Sequence, residues 1–176
     1  TGNLGAAYLG LLLLEREKEV FKVNPNMQPE LNNYEYCLGR FLKPEARVDI
    51  IKSLANLNVK PSSMIDVSDG LASELNHLSK SSGLDCRIYE EQIPIHEKVS
   101  RLADEFHMAS LTPILNGGED YELLFTVSPD DYEKIKDVED IAVIGHMIPK
   151  GNGNHLMTKA GQQIDLKAQG WNAFTD

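Results

Sequence analysis

An α+β fold is what this sequence predicts. Apolar residues recur at helical spacing in several separate stretches, and short β-prone runs bounded by Gly, Pro, Asn and Ser lie between them. With 176 residues, 41% of them hydrophobic, the chain is long enough for one core and fits a single domain over 1–176.

In order, the first helix is expected over 6–18. Its entry, Thr1-Gly2-Asn3-Leu4-Gly5, is either a plain turn or a glycine cradle for phosphate. Leu9 to Leu14 make this helix apolar nearly all round, so it is buried or covered by another domain. Residues 23–33, with Pro25 and Pro29, read as a loop. A short helix follows at 34–41. The next helix is expected over 44–57, with Pro44 in its first turn and Val48, Ile51, Leu54 and Ala55 on its buried face. Arg47 is out of place at a helix start, where cations are unfavourable; it is read as a solvated surface residue, or as the answer to a carboxylate elsewhere. A strand then leads into a helix over 71–81 that Gly83 terminates. Cys86, Ile88 and Tyr89 mark a strand, and 95–107 a helix with Val99, Leu102, Ala103 and Phe106 on one face. His96 and His107 lack metal-ligand spacing and are taken as surface residues. A β-prone run that follows Glu119-Asp120 and ends at Ser128-Pro129, a helix at 129–136, a strand at 141–147 and a hairpin (155–158 and 163–166, turning at Lys159-Ala160-Gly161-Gln162) complete the chain.

The net charge of −10 makes free nucleic acid and anionic membranes poor partners, and a phosphorylated ligand would need metal ions to offset it. The Leu9–Leu14 run is too short to span a bilayer and has no basic region ahead of it. Cys37 and Cys86 have no zinc or CxxC spacing; they fit free thiols in a reducing cytoplasm, or one disulfide. A start at Thr1 without Met is read as a fragment.

Two stretches carry chemistry. In Met64-Ile65-Asp66-Val67-Ser68-Asp69-Gly70-Leu71, an apolar strand ends in two carboxylates and opens a helix marked by Leu71, Leu75 and Leu78. Ser68 or Asp69 is expected to cap that helix through its side chain. A helix start attracts phosphate, carboxylates repel it, and a divalent cation reconciles the two. Mg²⁺ takes oxygen ligands and is commonly held by one or two carboxylates plus substrate phosphates, so Asp66, Ser68 and Asp69 suggest a metal–phosphate site. The other reading is a capped turn with no ligand. In Asn116-Gly117-Gly118-Glu119-Asp120-Tyr121-Glu122-Leu123, the glycine pair lets a ligand approach closely, and Glu119 and Asp120 meet a cation or form an acidic turn. Near the end, Trp171 is either a core plug or a platform for an aromatic ligand.

Taken together, Asp66-Val67-Ser68-Asp69-Gly70-Leu71, Gly117-Gly118-Glu119-Asp120-Tyr121-Glu122-Leu123 and Gly170-Trp171-Asn172-Ala173-Phe174, preceded by Thr1-Gly2-Asn3-Leu4-Gly5, resemble the C-terminal part of the thiamine-monophosphate kinase family. That family belongs to the superfamily of aminoimidazole ribonucleotide synthetase. The resemblance implies a layered α/β/α sandwich with a mixed sheet. It implies ATP-dependent phosphorylation of thiamine monophosphate to thiamine diphosphate in the cytoplasm, with Mg²⁺ as cofactor. It implies Asp66 and Asp69 as metal ligands, Ser68 as an ATP contact, and Glu119, Trp171 and Phe174 as substrate contacts. It also implies an N-terminal domain that this chain lacks and a homodimer, so the chain alone is expected to be inactive. Asn172-Ala173 stand where the family usually has Asp-His, which leaves those two positions without an assigned role. Another ATP-using enzyme of the superfamily, or a non-catalytic docking domain, are the readings that compete with it.

Overall fold

The computed structural model describes residues 1–167. Helix α1 (Ala6–Val23) packs on α2 (Glu35–Leu42) and α5 (Glu97–Glu105). Leu9, Cys37, Val99, Leu102 and Ala103 bury that contact. It is the apolar stripe at the start of α1 that docks; the far end, with Phe21 and Val23, is exposed. Helix α3 (Val48–Asn56) packs through Ile50 and Leu54 on Val59 and on Ile135 of the short α7 (Tyr132–Ile135).

Two sheets stand where the sequence marks scattered strands. Strands β1 (Ser63–Asp66) and β3 (Leu123–Thr126) form an antiparallel pair in which Asp66 lies opposite Leu123. Strands β2 (Asp85–Tyr89), β4 (Gly145–Ile148), β5 (His155–Met157) and β6 (Gln163–Asp165) form a sheet of order β4-β2-β5-β6. It is mixed: β2 runs antiparallel to β4 and parallel to β5. Helix α4 (Leu71–Ser82) and α6 (Leu111–Asn116) cover the strands, and Leu71, Leu75, Ile88, Ile114 and Leu156 share their core. The layered α+β architecture with a mixed sheet is therefore present. Among the described residues, no helix is long and apolar enough to cross a membrane, and Cys37 and Cys86 are buried free thiols.

Several boundaries differ from expectation. Pro44 lies outside α3, which starts four residues later; Arg47 immediately before it takes a non-helical conformation while its side chain binds carboxylates. Residues 141–144 are not strand, because Ile141 closes a turn onto Val138 and joins the α3 cluster instead. Helix α6, with Pro113 in its first turn, was not expected at all. His96 is half-buried rather than a plain surface residue: its Nδ1 caps α5 by accepting from the Lys98 amide, and its ring stacks on Tyr36 at 3.9 Å. His107 is exposed, as expected.

Asp85 anchors the loop between β4 and β5. Its Oδ2 accepts the amides of Gly151, Asn152 and Gly153, and its Oδ1 accepts Lys150 Nζ at 2.8 Å. The Lys150 ammonium first, and then the three amides, hold this carboxyl down to about 2. A depressed carboxyl contributes stability above its unfolded value of about 3.9 and loses it as pH falls below that towards 2. Denaturant melts of Asp85→Asn are thus expected to lose less stability than wild type between about pH 4 and pH 2. Parallel pH curves for the two proteins would refute this.

Candidate functional site

The two acidic stretches, about fifty residues apart in the chain, meet at one edge of the β1–β3 pair. The amide of Val67 donates to Glu122 O, that of Tyr121 to Val67 O, and that of Glu119 to Ser68 O, at 2.8, 2.9 and 2.8 Å. The ladder of the strand pair thus continues past Asp66 into the turn. Close approach demands glycine here. At Gly118 (φ +69°) a Cβ would strike Ser68 O, and at Gly70 (φ +110°) one would strike Leu115 O and Asn116.

At this junction Asp66, Asp69 and Glu119 are exposed and Ser68 is half-buried. Among the described residues, no Lys, Arg or His forms an ion pair with Asp66, Asp69 or Glu119. Their negative charge is left to whatever binds. All-oxygen donors on a strand end and a tight turn fit a hard cation such as Mg²⁺. Among the described residues, no group of three or more His, Cys, Asp or Glu is placed to hold a metal unaided. The set therefore fits a cation that also takes phosphate oxygens or ligands from elsewhere.

The phase of the second stretch is alternating. Glu119 and Tyr121 face out with φ of +62° and +51°, left-handed values that are uncommon for side chains of this kind, and the Tyr121 hydroxyl donates to Glu119 Oε2. Asp120 and Glu122 face in and are each 1% exposed. Asp120 is not a cation ligand. Its carboxylate accepts the amides of Gly5 and Ala7 at the start of α1, so the glycine-rich entry is a helix turn whose anion site the protein fills itself. Burial pushes Asp120 up to about 6 against those two amides. Glu122 accepts from Arg40 at 2.8 Å and from Arg47 at 2.7 Å, and Thr1 Oγ1 donates to it as well. Arg47 is thus not a solvated arginine: its side chain is 9% exposed and also binds Asp49 and Asp140.

Two further findings bear on the turn. Neither Ser68 nor Asp69 caps α4; its N-cap is Gly70, with no side-chain cap. Glu74, in the first turn of α4, reaches back instead and accepts the Asp69 amide through Oε1 at 3.2 Å. Burial first, and then the charges of Asp69 and Asp66, push Glu74 up to about 7 against the pull of amide donors that include Asp69. Glu74 is legible in hindsight. It lies in the stripe Leu71, Glu74, Leu75, Leu78, an acid on an otherwise apolar face. Trp171 and Phe174 lie outside the described residues. An apolar cavity of about 560 Å³ between the sheets is lined by Leu75, Ile88 and Phe125 but by none of the exposed acids, so this cavity and the polar site are different places.

Comparison with known proteins gives the same direction. Residues 14–157 match the family model for the AIR synthase related protein, C-terminal domain. The chain is 30% identical to the thiamine-monophosphate kinase of Aquifex aeolicus (strain VF5) over 99% of this chain and 50% of that protein. It is 31% identical to that of Bacillus subtilis (strain 168), over 99% of this chain and 51% of that one. Among solved structures, AaThiL complexed with AMPPCP and TMP superposes with a TM-score of 0.75 at 29% identity, over 99% of this chain and 50% of that one. The chain spans about half the length of these relatives.

Proposed function

The chain belongs to the AIR synthase related family, whose C-terminal domain it carries, and from that premise we propose that it is the C-terminal part of a two-domain thiamine-monophosphate kinase. The reaction is ATP-dependent phosphorylation of thiamine monophosphate to thiamine diphosphate. The observation that carries this reading is the joining of the Asp66–Asp69 turn to the Glu119 loop by three backbone hydrogen bonds, with Asp66, Asp69 and Glu119 exposed together and, among the described residues, in no ion pair.

Each residue has a chemical task. Asp66 and Asp69 hold Mg²⁺ through carboxylate oxygens, and Ser68 between them contacts ATP. Mg²⁺, when bound, offsets the charge of the phosphates against an acidic chain of net charge −10. The acceptor is already a phosphate oxygen, so no strong base is required, and the protein's work is positioning and charge balance. Glu119, oriented by Tyr121, faces the cationic thiamine ring. Trp171 and Phe174 supply the stacking surface for the same ring. The remaining acidic ligands belong to the N-terminal domain. Two buried free thiols accord with a cytoplasmic enzyme, and the bare end of α1 at Phe21 and Val23 offers an apolar surface to a homodimer.

The test is an assay of thiamine diphosphate formation with ATP, Mg²⁺ and thiamine monophosphate. The full-length enzyme is expected to turn over, and the 176-residue chain to melt cooperatively while forming no product. A full-length enzyme that hydrolyses ATP without phosphorylating thiamine monophosphate would point to another reaction of the superfamily.

A further inference from the structure

We propose that Glu74 is a positioning residue for the cation site: by accepting the Asp69 amide it fixes the turn that presents Asp66 and Asp69. The proposal rests on the metal reading of those two aspartates.

Glu74 sits where an apolar side chain belongs. Leu71, Leu75 and Leu78 flank it on the buried stripe of α4, and it is 1% exposed. Carboxylates are almost never fully buried unless paired. Here, among the described residues, no cation pairs with it and its Oε2 has no hydrogen-bond partner. Among the described residues, its bond to a neighbouring segment is the one that Oε1 accepts from the Asp69 amide. A carboxylate held in this way is costly, and a leucine would serve stability better. What a leucine cannot do is accept that amide.

The bond matters because of how the turn is held. On one side, Val67 and Ser68 are fixed to the Glu119 loop by backbone bonds. On the other, α4 begins at Gly70, whose φ of +110° is open only to glycine and which has no side chain to cap the helix. Asp69 lies between these two attachments. Glu74 is the tie from α4 back to it, and it sets where the Asp69 backbone, and with it the carboxylate, stands. Groups that orient metal ligands in this way change metal affinity without touching the metal.

The experiment uses the full-length enzyme with a non-hydrolysable ATP analogue. Mn²⁺ binding is read from the electron paramagnetic resonance signal of the free ion, beside a thermal melt of each variant. Glu74→Leu is expected to melt at or above the wild-type temperature and yet bind Mn²⁺ roughly tenfold more weakly or worse. Glu74→Gln keeps an oxygen acceptor in place and is expected to restore wild-type binding. Glu74→Asp, a methylene too short to reach the amide, is expected to behave like the leucine variant, and it decides the matter should that variant not fold. A folded Glu74→Leu or Glu74→Asp protein with wild-type Mn²⁺ affinity overturns the proposal, as does a glutamine variant no better than leucine. Asp69→Asn, measured alongside, separates the two levels. If it too binds Mn²⁺ normally, the metal reading itself has failed; if it binds weakly while Glu74→Leu does not, only the role of Glu74 has.

Discussion

Asp69→Asn in the full-length enzyme is expected to lower kcat on the order of 10²–10³-fold, the range seen when a single group that stabilises transition-state charge is removed, while leaving the melting temperature unchanged. The two halves of that expectation come from different observations. Asp69 is exposed, and its carboxylate neither caps α4 nor enters an ion pair among the described residues, so folding does not depend on its charge. An amide is a far weaker ligand for a hard divalent cation beside phosphates, so the chemistry does depend on it. Because the substitution is nearly isosteric, the backbone bond from the Asp69 amide to Glu74 stays in place. Turnover near normal at saturating Mg²⁺ would remove Asp69 from the reaction. A large fall in melting temperature would instead mark it as a structural residue.

Glu122→Ala is expected to cost about 3–5 kcal/mol of stability, the usual result of deleting one partner of a buried ion pair. Glu122 has a side chain 2% exposed and accepts two guanidinium groups, Arg40 from α2 and Arg47 from the start of α3. Removing it takes from Arg40 and Arg47 the buried carboxylate that they share. It also frees Thr1 Oγ1, which bridges Glu122 and the Leu123 amide at the entry to β3. Urea denaturation gives the number directly. A loss below about 1 kcal/mol, the range of exposed pairs, would mean that the arginines find water or other carboxylates without cost. In that case Arg47 has Asp49 and Asp140 within reach, and the double variant Glu122→Ala, Arg47→Met would show no recovery. The expected outcome is the reverse: methionine at 47 restores part of what alanine at 122 loses.

The strand–turn–helix around Asp69 was legible because its signals are local. An apolar run stops, Gly70 breaks it, and leucines resume at helical spacing. The hairpin at 155–166 was legible for the same reason, and the Thr158–Gln162 bond with Gly161 at φ +76° bears it out. The failures share a cause as well. Pro44 is a good first-turn residue, but α3 starts at Val48 because Arg47 is drawn to Glu122, distant in sequence. Ser68 and Asp69 are good caps, yet the helix start is filled by Gly70 and the tie comes from Glu74.

By itself the sequence determined that Asp66, Ser68, Asp69 and Glu119 stand at turns beside short strands, since glycine placement and apolar periodicity are written in neighbouring residues. It could not determine which acids of Glu119-Asp120-Tyr121-Glu122 face solvent, because both phases of the alternation carry a carboxylate. Tertiary structure decided that. A carboxylate goes inside only where donors wait for it, and those donors are the amides of Gly5 and Ala7 for Asp120 and the guanidinium groups of Arg40 and Arg47 for Glu122. Glu119 has no such cation waiting among the described residues; it stays at the surface with Asp66 and Asp69, and there its charge is left for a ligand.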